Sequence, residues 1–368
     1  MKTPPASAIA TTLVVGIVYA ATILAGVALA PLPAAAQVNP AVMPAKGPLS
    51  KQTMTRILLT DAARSGNRIV AVGDRGYIVT SDNNGESWER AVTPANLPLL
   101  TAVYFSDAKT GWAVGHDALI LKSTDEGRTW TQVFSAPAEQ KPLMDILFTD
   151  ANTGFAVGAY SSYYETVDGG KTWTARRIVE IPKAKPPVPA NKGKPGAAPE
   201  PEPADNKSND EDKHLNAIVK LGDNKLFIAG EAGMLLKSED LGKTWTRLES
   251  PYKGSYFGAI QAQDGSVLIY GLRGKIFRSA DAAMKDWKLV DNKSVASIMG
   301  STRLSDGTLV LSGLAGMVLV SRDNGQTFSP LPTGLTKGYA APLLGAPNTV
   351  LLVGEAGVRN VALPAGGK

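Results

Sequence analysis

The chain has 368 residues, 38 Lys and Arg against 33 Asp and Glu for a net charge of +5, two histidines and no cysteine. That length allows a large core; the missing cysteines exclude disulfides, thiolate metal sites and a cysteine nucleophile, and two histidines exclude a three-histidine metal centre. Lys and Arg are spread along the chain with no dense basic run beside aromatics, which speaks against nucleic acid, and no cofactor or metal is implied.

In chain order, Lys2 precedes an apolar run from Ala8 to Leu32 and "PLPAAAQ" offers a small-residue cleavage site after Ala36. Residues 1–36 therefore read as an export signal, and the run is nearly long enough to serve as an uncleaved anchor. Either reading places the rest in the periplasm or another extracytoplasmic space.

From residue 69 onward two signatures alternate. The first is an apolar strand ending in glycine: "IVAVG" to Gly73, "GWAVG" to Gly115, "GFAVG" to Gly158, "LFIAG" to Gly230, "VLIYG" to Gly271, "LVLSG" to Gly313 and "VLLVG" to Gly354. The intervals are 42, 43, 72, 41, 42 and 41 residues, so the chain holds seven units with one insertion in the third interval. The second signature, SxDxGxTW, follows at fixed phase: "SDNNGESW", "STDEGRTW", "TVDGGKTW", "SEDLGKTW", "SADAAMKDW" and "SRDNGQTF". Its acid position, Asn83, Asp125, Asp168, Asp240, Asp281 or Asp323, stands ten residues after each glycine, and its aromatic position holds Trp88, Trp130, Trp173, Trp245, Trp287 or Phe328.

Each unit reads as four short strands, the second apolar on both faces as a strand sandwiched between neighbouring sheets must be. Such sheets repeated radially form a β-propeller, here all-β and seven-bladed over residues 49–363. The acid accepts turn N–H groups, the glycine supplies the backbone angle, and the aromatic wedges between blades, so the motif is structural.

The motif is the Asp box, or BNR repeat, and "GWAVG" followed by "LILKSTDEGRTW" resembles the photosystem II stability and assembly factor family over residues 49–363. The resemblance implies a seven-bladed propeller exported to a thylakoid lumen or periplasm. It also implies a non-catalytic assembly, stability or interaction factor for a membrane protein complex, associated in a non-photosynthetic cell with an exporter, and working as a monomer. The family has an arginine-lined patch, which Arg56, Arg75 and Arg273 match in part. Asp boxes also occur in sialidases and xyloglucanase-type hydrolases, so a glycosidase or a carbohydrate-binding propeller is the alternative. The sialidase Arg-Ile-Pro start is absent, "TRILL" at Thr55 to Leu59 being nearest, and a carboxylate pair would come from Asp74, Asp117, Asp145, Glu231 and Glu355.

The boxes occupy one rim. The other, built from the turns between strands two and three and the connections between blades, is the expected protein-binding surface: Asp74, Arg75, His116, Asp117, Tyr160, Glu231, Arg273 and Glu355 on turns, with Arg56, His214, Tyr256 and Tyr339 at inner-strand starts. The insertion, residues 181–213, is rich in proline, lysine and acids and is expected to be a disordered loop joining blades three and four on that rim. The seventh unit lacks a box, and residues 49–55 are expected to supply its outer strand.

Overall fold

The computed structural model describes residues 42–43, 47–181 and 212–364; the export segment and most of the insertion lie outside them. Six four-stranded antiparallel sheets and one three-stranded sheet follow in order. Their first strands are Leu59–Ser65, Leu100–Phe105, Leu143–Phe148, Leu215–Leu221, Tyr256–Gln261, Ile298–Arg303 and Tyr339–Leu344. These pack edge to edge around a central channel. Blade four shows the plan: Leu215–Leu221, Lys225–Gly230, Leu235–Ser238 and Thr246–Arg247, each pairing with the next. A seven-bladed propeller is thus the fold.

The strand-ending glycines have a steric cause. A Cβ on Gly73, Gly115, Gly158, Gly271, Gly313 or Gly354 would lie 2.1–2.4 Å from the carbonyl oxygen of the residue before strand one. That carbonyl accepts the N–H of the residue after the glycine, as in Asp74 N–H to Leu58 O at 3.0 Å and Glu355 N–H to Gly338 O at 3.0 Å. Only glycine admits so close an approach.

Each box closes on its own blade and leans on the one before. In blade four Asp240 Oδ1 accepts the Thr244 N–H at 2.9 Å, Oδ2 accepts the Thr244 hydroxyl at 2.6 Å, and Ser238 Oγ accepts the Gly242 N–H at 2.8 Å. Gly242 holds φ +84°, and a Cβ there would meet the Tyr163 hydroxyl of blade three at 2.6 Å. The same turn with its threonine bond recurs at Asp125, Asp168 and Asp323. In the first copy Asn83 accepts the Ser87 N–H and donates to its hydroxyl. The fifth copy, without glycine or threonine, keeps only backbone donors on Asp281, from Ala283 and Lys285.

The aromatics fill the clefts between blades. Trp88 packs between blades seven and one, Trp130 between one and two, Trp173 between two and three, Trp245 between three and four. Trp287 and Phe328 do the same for the next two clefts but are only partly buried. Tyr339, Val361 and Leu363 fill the cleft between six and seven. Two linkers add backbone ties: Val92 exchanges hydrogen bonds with Arg128 and Trp130, and Val179 and Ile181 with Trp245.

Ring closure departs from expectation. Leu49 donates to the Trp88 carbonyl at 2.8 Å, on blade one, and Lys51–Met54 is a helical turn capped by Ser50, whose hydroxyl accepts the Thr53 N–H at 3.1 Å. Met54 is buried between blades seven and one. The segment therefore closes the ring as a plug, because the cap and the inward methionine favour a turn of helix over a strand. Blade seven keeps three strands, the third being Gly357–Ala362.

At the channel wall every first strand carries a bulge at its second residue, and this frees polar groups to tie neighbouring blades. Thr60 donates to the Leu100 carbonyl at 2.7 Å, Thr101 to Leu143 at 2.6 Å and Asn216 to Tyr256 at 2.8 Å. One residue on, Asp61 accepts the Val103 N–H and Asp145 the Ile218 N–H, both at 2.9 Å. Burial at the channel pushes both carboxyls up to about 7, against the pull of these backbone donors. Box acids go the other way: partial burial raises Asp168, but the Thr172, Thr166 and Lys171 donors outweigh it and bring the carboxyl down to about 2.

Two outcomes are expected. Trp245→Ala, at a site with no exposure, loses about 3–5 kcal/mol of stability, and Trp287→Ala, half-buried, loses less; thermal melts rank the two. Raised carboxyl pKa values make Asp61 and Asp145 stabilising below pH about 4 and costly as pH rises through 7, whereas the lowered box acids stabilise above about 4 and lose this as pH falls. The melting temperature of Asp61→Asn/Asp145→Asn minus that of the parent therefore rises from pH 4 to pH 8, and a flat difference contradicts the assignment.

Candidate functional site

The rim opposite the boxes is built by short turns between strands two and three. In blades one, four, five and six the apex residue, Arg75, Ala232, Arg273 or Ala315, holds φ between 51° and 57° and the next residue is a left-handed glycine. The left-handed apex costs about 1–2 kcal/mol for an L residue. Its recurrence at two alanines shows that the turn requires it whatever the side chain. Blades two and three carry two such residues each, Asp117 with Ala118 and Tyr160 with Ser161. The apex side chain is thereby thrown outward: Arg75 is 84% exposed, and Arg273 is exposed as well.

The expected residues fall into groups. Arg56 and Arg75 line one cleft of 360 Å3 with Asp74 and Tyr77, where the Arg75 guanidinium lies 3.5 Å from the Asp74 carboxylate. Arg90, which the repeat pattern did not single out, sets its guanidinium 4.5 Å over the Tyr77 ring, adding a third cation at the same blade. Tyr160, His214 and Glu231 meet between blades three and four: the tyrosine ring stands edge-on to His214 at 5.3 Å, and the Glu231 carboxylate accepts the His214 N–H at 3.2 Å. Tyr160 also lines a 640 Å3 groove with Lys141, Arg176, Arg177 and Arg247, next to Ile178, Glu180 and Asp212 at the two ends of the insertion. His116 and Asp117 stand on blade two, Arg273 on blade five and Glu355 on blade seven, each apart from these groups. Of the carboxylates weighed as a catalytic pair, Asp74, Asp117, Glu231 and Glu355 sit on the turns of four different blades, and Asp145 faces the channel.

Two expected surface residues are not at the surface. Tyr256 has no exposure and Tyr339 is 2% exposed. Both occupy the first position of strand one, where Leu59, Leu100, Leu143, Leu215 and Ile298 are equally buried. The bulge turns that side chain into the cleft between blades, where the Tyr256 hydroxyl lies 3.0 Å from that of Ser250. The five aliphatic residues at this repeat phase were the signal that places the two tyrosines inside.

Missed entirely were exposed apolar side chains on this rim. Val295 is 85% exposed, Leu314 44%, and Leu58 and Leu335 38% each, all beside the turns or inner-strand starts, with Tyr160 at 51%. Other exposed large apolar residues described lie at the box rim, such as Val167 and Leu344, or on the perimeter, such as Val179, Ile181 and Leu289. Arginine, tyrosine and exposed aliphatic carbon on one face form a surface suited to another protein.

The family model for the photosynthesis system II assembly factor YCF48 matches residues 128–185 and 196–329, more than half of the chain. No curated protein matches the sequence. Among solved structures, YCF48 bound to D1 peptide is 18% identical over 90% of this chain and 99% of that one, with a TM-score of 0.63. YCF48 from Cyanidioschyzon merolae is 16% identical over 84% and 97%, with a TM-score of 0.60. The GH74 xyloglucanase from Xanthomonas campestris is 13% identical over 87% of this chain but 54% of its own, with a TM-score of 0.64. At these identities the structures show a shared propeller alone. The family model adds the box and strand pattern from the end of blade two through blade six, and on that match the chain belongs to the photosynthesis system II assembly factor YCF48 family.

Proposed function

We propose that the protein is an exported, non-catalytic assembly or stability factor that docks a protein segment of a membrane complex on the rim opposite its Asp boxes. The observation that carries this is the coincidence on one rim of outward-thrown arginines and exposed aliphatic side chains: Arg75 and Arg273 at turn apices, Leu58, Val295, Leu314 and Leu335 beside them. Apolar anchors supply the desolvated area that holds a complex, and arginine supplies planar donors for carboxylates and backbone carbonyls. The family membership supports the assembly role, and the capture of one relative with a D1 peptide supports a polypeptide ligand. The apolar run before Ala36 supports export, and the photosystem, or an exporter where the cell has none, is the complex the family suggests.

Pull-down from solubilised membranes compares the parent with Arg75→Glu/Arg273→Glu and with Leu314→Asp. Each variant is expected to keep the parent melting temperature, since its side chain is exposed, and to recover its main partner at least about tenfold less well. An unchanged partner profile in both would remove this rim from the reading.

A further inference from the structure

The channel is more than the gap left by closing a ring. It encloses a chamber of 660 Å3 whose wall takes residues from all seven first strands, including Met144, Phe257 and Met299, together with Leu58 just before the first of them. In this largely apolar wall stand two carboxyls, Asp61 on blade one and Asp145 on blade three, both two residues into their strands from the docking rim. Their hydrogen bonds come from backbone N–H groups, Val103 and Ala62 for Asp61 and Ile146 and Ile218 for Asp145. Among the described residues the one cationic side chain lining the chamber is Arg303, at the last residue of strand one near the box rim, where it donates to the Gln261 carbonyl at 3.0 Å. No described cation therefore neutralises the two acids.

A carboxylate pair alone would be no site. Here the pair shares one space, since each carboxyl lies within electrostatic reach of the other and of the Tyr270 phenol. Tyr270 is 4% exposed, lines the chamber, and donates its hydroxyl to Ser301 at 2.9 Å, so its ring is fixed in place. Apolar wall, held aromatic ring and uncompensated negative charge together match one class of ligand.

We propose that this chamber binds an organic cation, an ammonium group on an apolar stem, with the ammonium at Asp61 and Asp145 and the stem against Leu58, Met144, Phe257 and Met299. Such a ligand returns to both carboxyls the stabilisation that burial removes from their charged forms. The inference does not depend on the rim reading, because the acids lie inside the channel.

Calorimetric titration of the folded chain with n-hexylammonium chloride at pH 8 is expected to show saturable binding, with hexan-1-ol and ammonium chloride each weaker by about tenfold or more. At pH 5 the two carboxyls, pushed up to about 7 by burial, are mostly neutral, while the Tyr270 phenol, pushed up by burial, stays neutral at both pH values, so hexylammonium binding falls. Asp61→Asn/Asp145→Asn is expected to lose the binding while melting as a folded protein; if the double variant does not fold, Asp145→Asn alone must weaken it. Arg75→Glu/Arg273→Glu is expected to bind hexylammonium as the parent does, which separates failure here from failure of the docking rim. A blocked tripeptide with a central lysine distinguishes sources: binding points to a partner's lysine, and silence with hexylammonium bound points to a free amine. Equal binding of hexanol and hexylammonium, no saturable hexylammonium binding, or full binding by the asparagine variants overturns the proposal.

Discussion

Every blade depends on the face of its neighbour. A four-stranded sheet of this size with an apolar second strand has two faces to bury, and neither can be covered from within the blade. The Asp box solves this locally: its glycine sits so close to the preceding blade that Gly127 would press a Cβ onto Val70 and Gly170 onto Trp112. The aromatic three residues on then fills the remaining cleft. Because each contact points backward to the preceding blade, the array is satisfied only when the first blade finds the last, and the ring is the consequence. Ser50 to Met54 completes that step by seating a methionine beside Trp88 in the cleft between blades seven and one.

This mechanics divides the two rims by role. The box rim spends its acids, threonines and serines on turn hydrogen bonds, so a charge such as Asp240 is already committed to Thr244. On the opposite rim the turn is held mainly by backbone: the glycine, the left-handed apex and the bond to the carbonyl before strand one. The apex side chain carries no structural duty there, which is why arginine, tyrosine, aspartate and alanine all occupy it. Freedom of that kind is what lets a scaffold present a recognition surface without changing its fold.

How far the sequence revealed this follows the same division. Blade number, strand order and box geometry were legible because they recur at fixed spacing, and repetition separates a structural acid from a catalytic one. The turn positions of Arg75 and Arg273 were legible for the same reason. Tyr256 and Tyr339 misled because a tyrosine at a strand start resembles a rim residue, while the bulge that rotates it inward is a backbone feature with no residue signature of its own. The helical turn at Lys51–Met54 was hidden because a missing outer strand predicts that something closes the ring, but not its conformation. Val295 and Leu314 were hidden because an aliphatic residue next to a strand looks like core.

The channel acids show the limit of repeat reasoning most clearly. Asp61 and Asp145 share a repeat phase with Ala102, Ala217, Gly258, Gly300 and Ala341, so the position tolerates no bulk in most blades and no charge in five. Each acid does hold two backbone N–H groups, Ala62 and Val103 on Asp61 and Ile146 and Ile218 on Asp145, but a carboxyl raised to about 7 costs stability at neutral pH. A propeller selected for rigidity alone would hold small residues all the way round. Two acids kept at one depth, below the turn rim and in one chamber with an aromatic ring fixed by Ser301, fit a chamber whose stability is completed by what enters it.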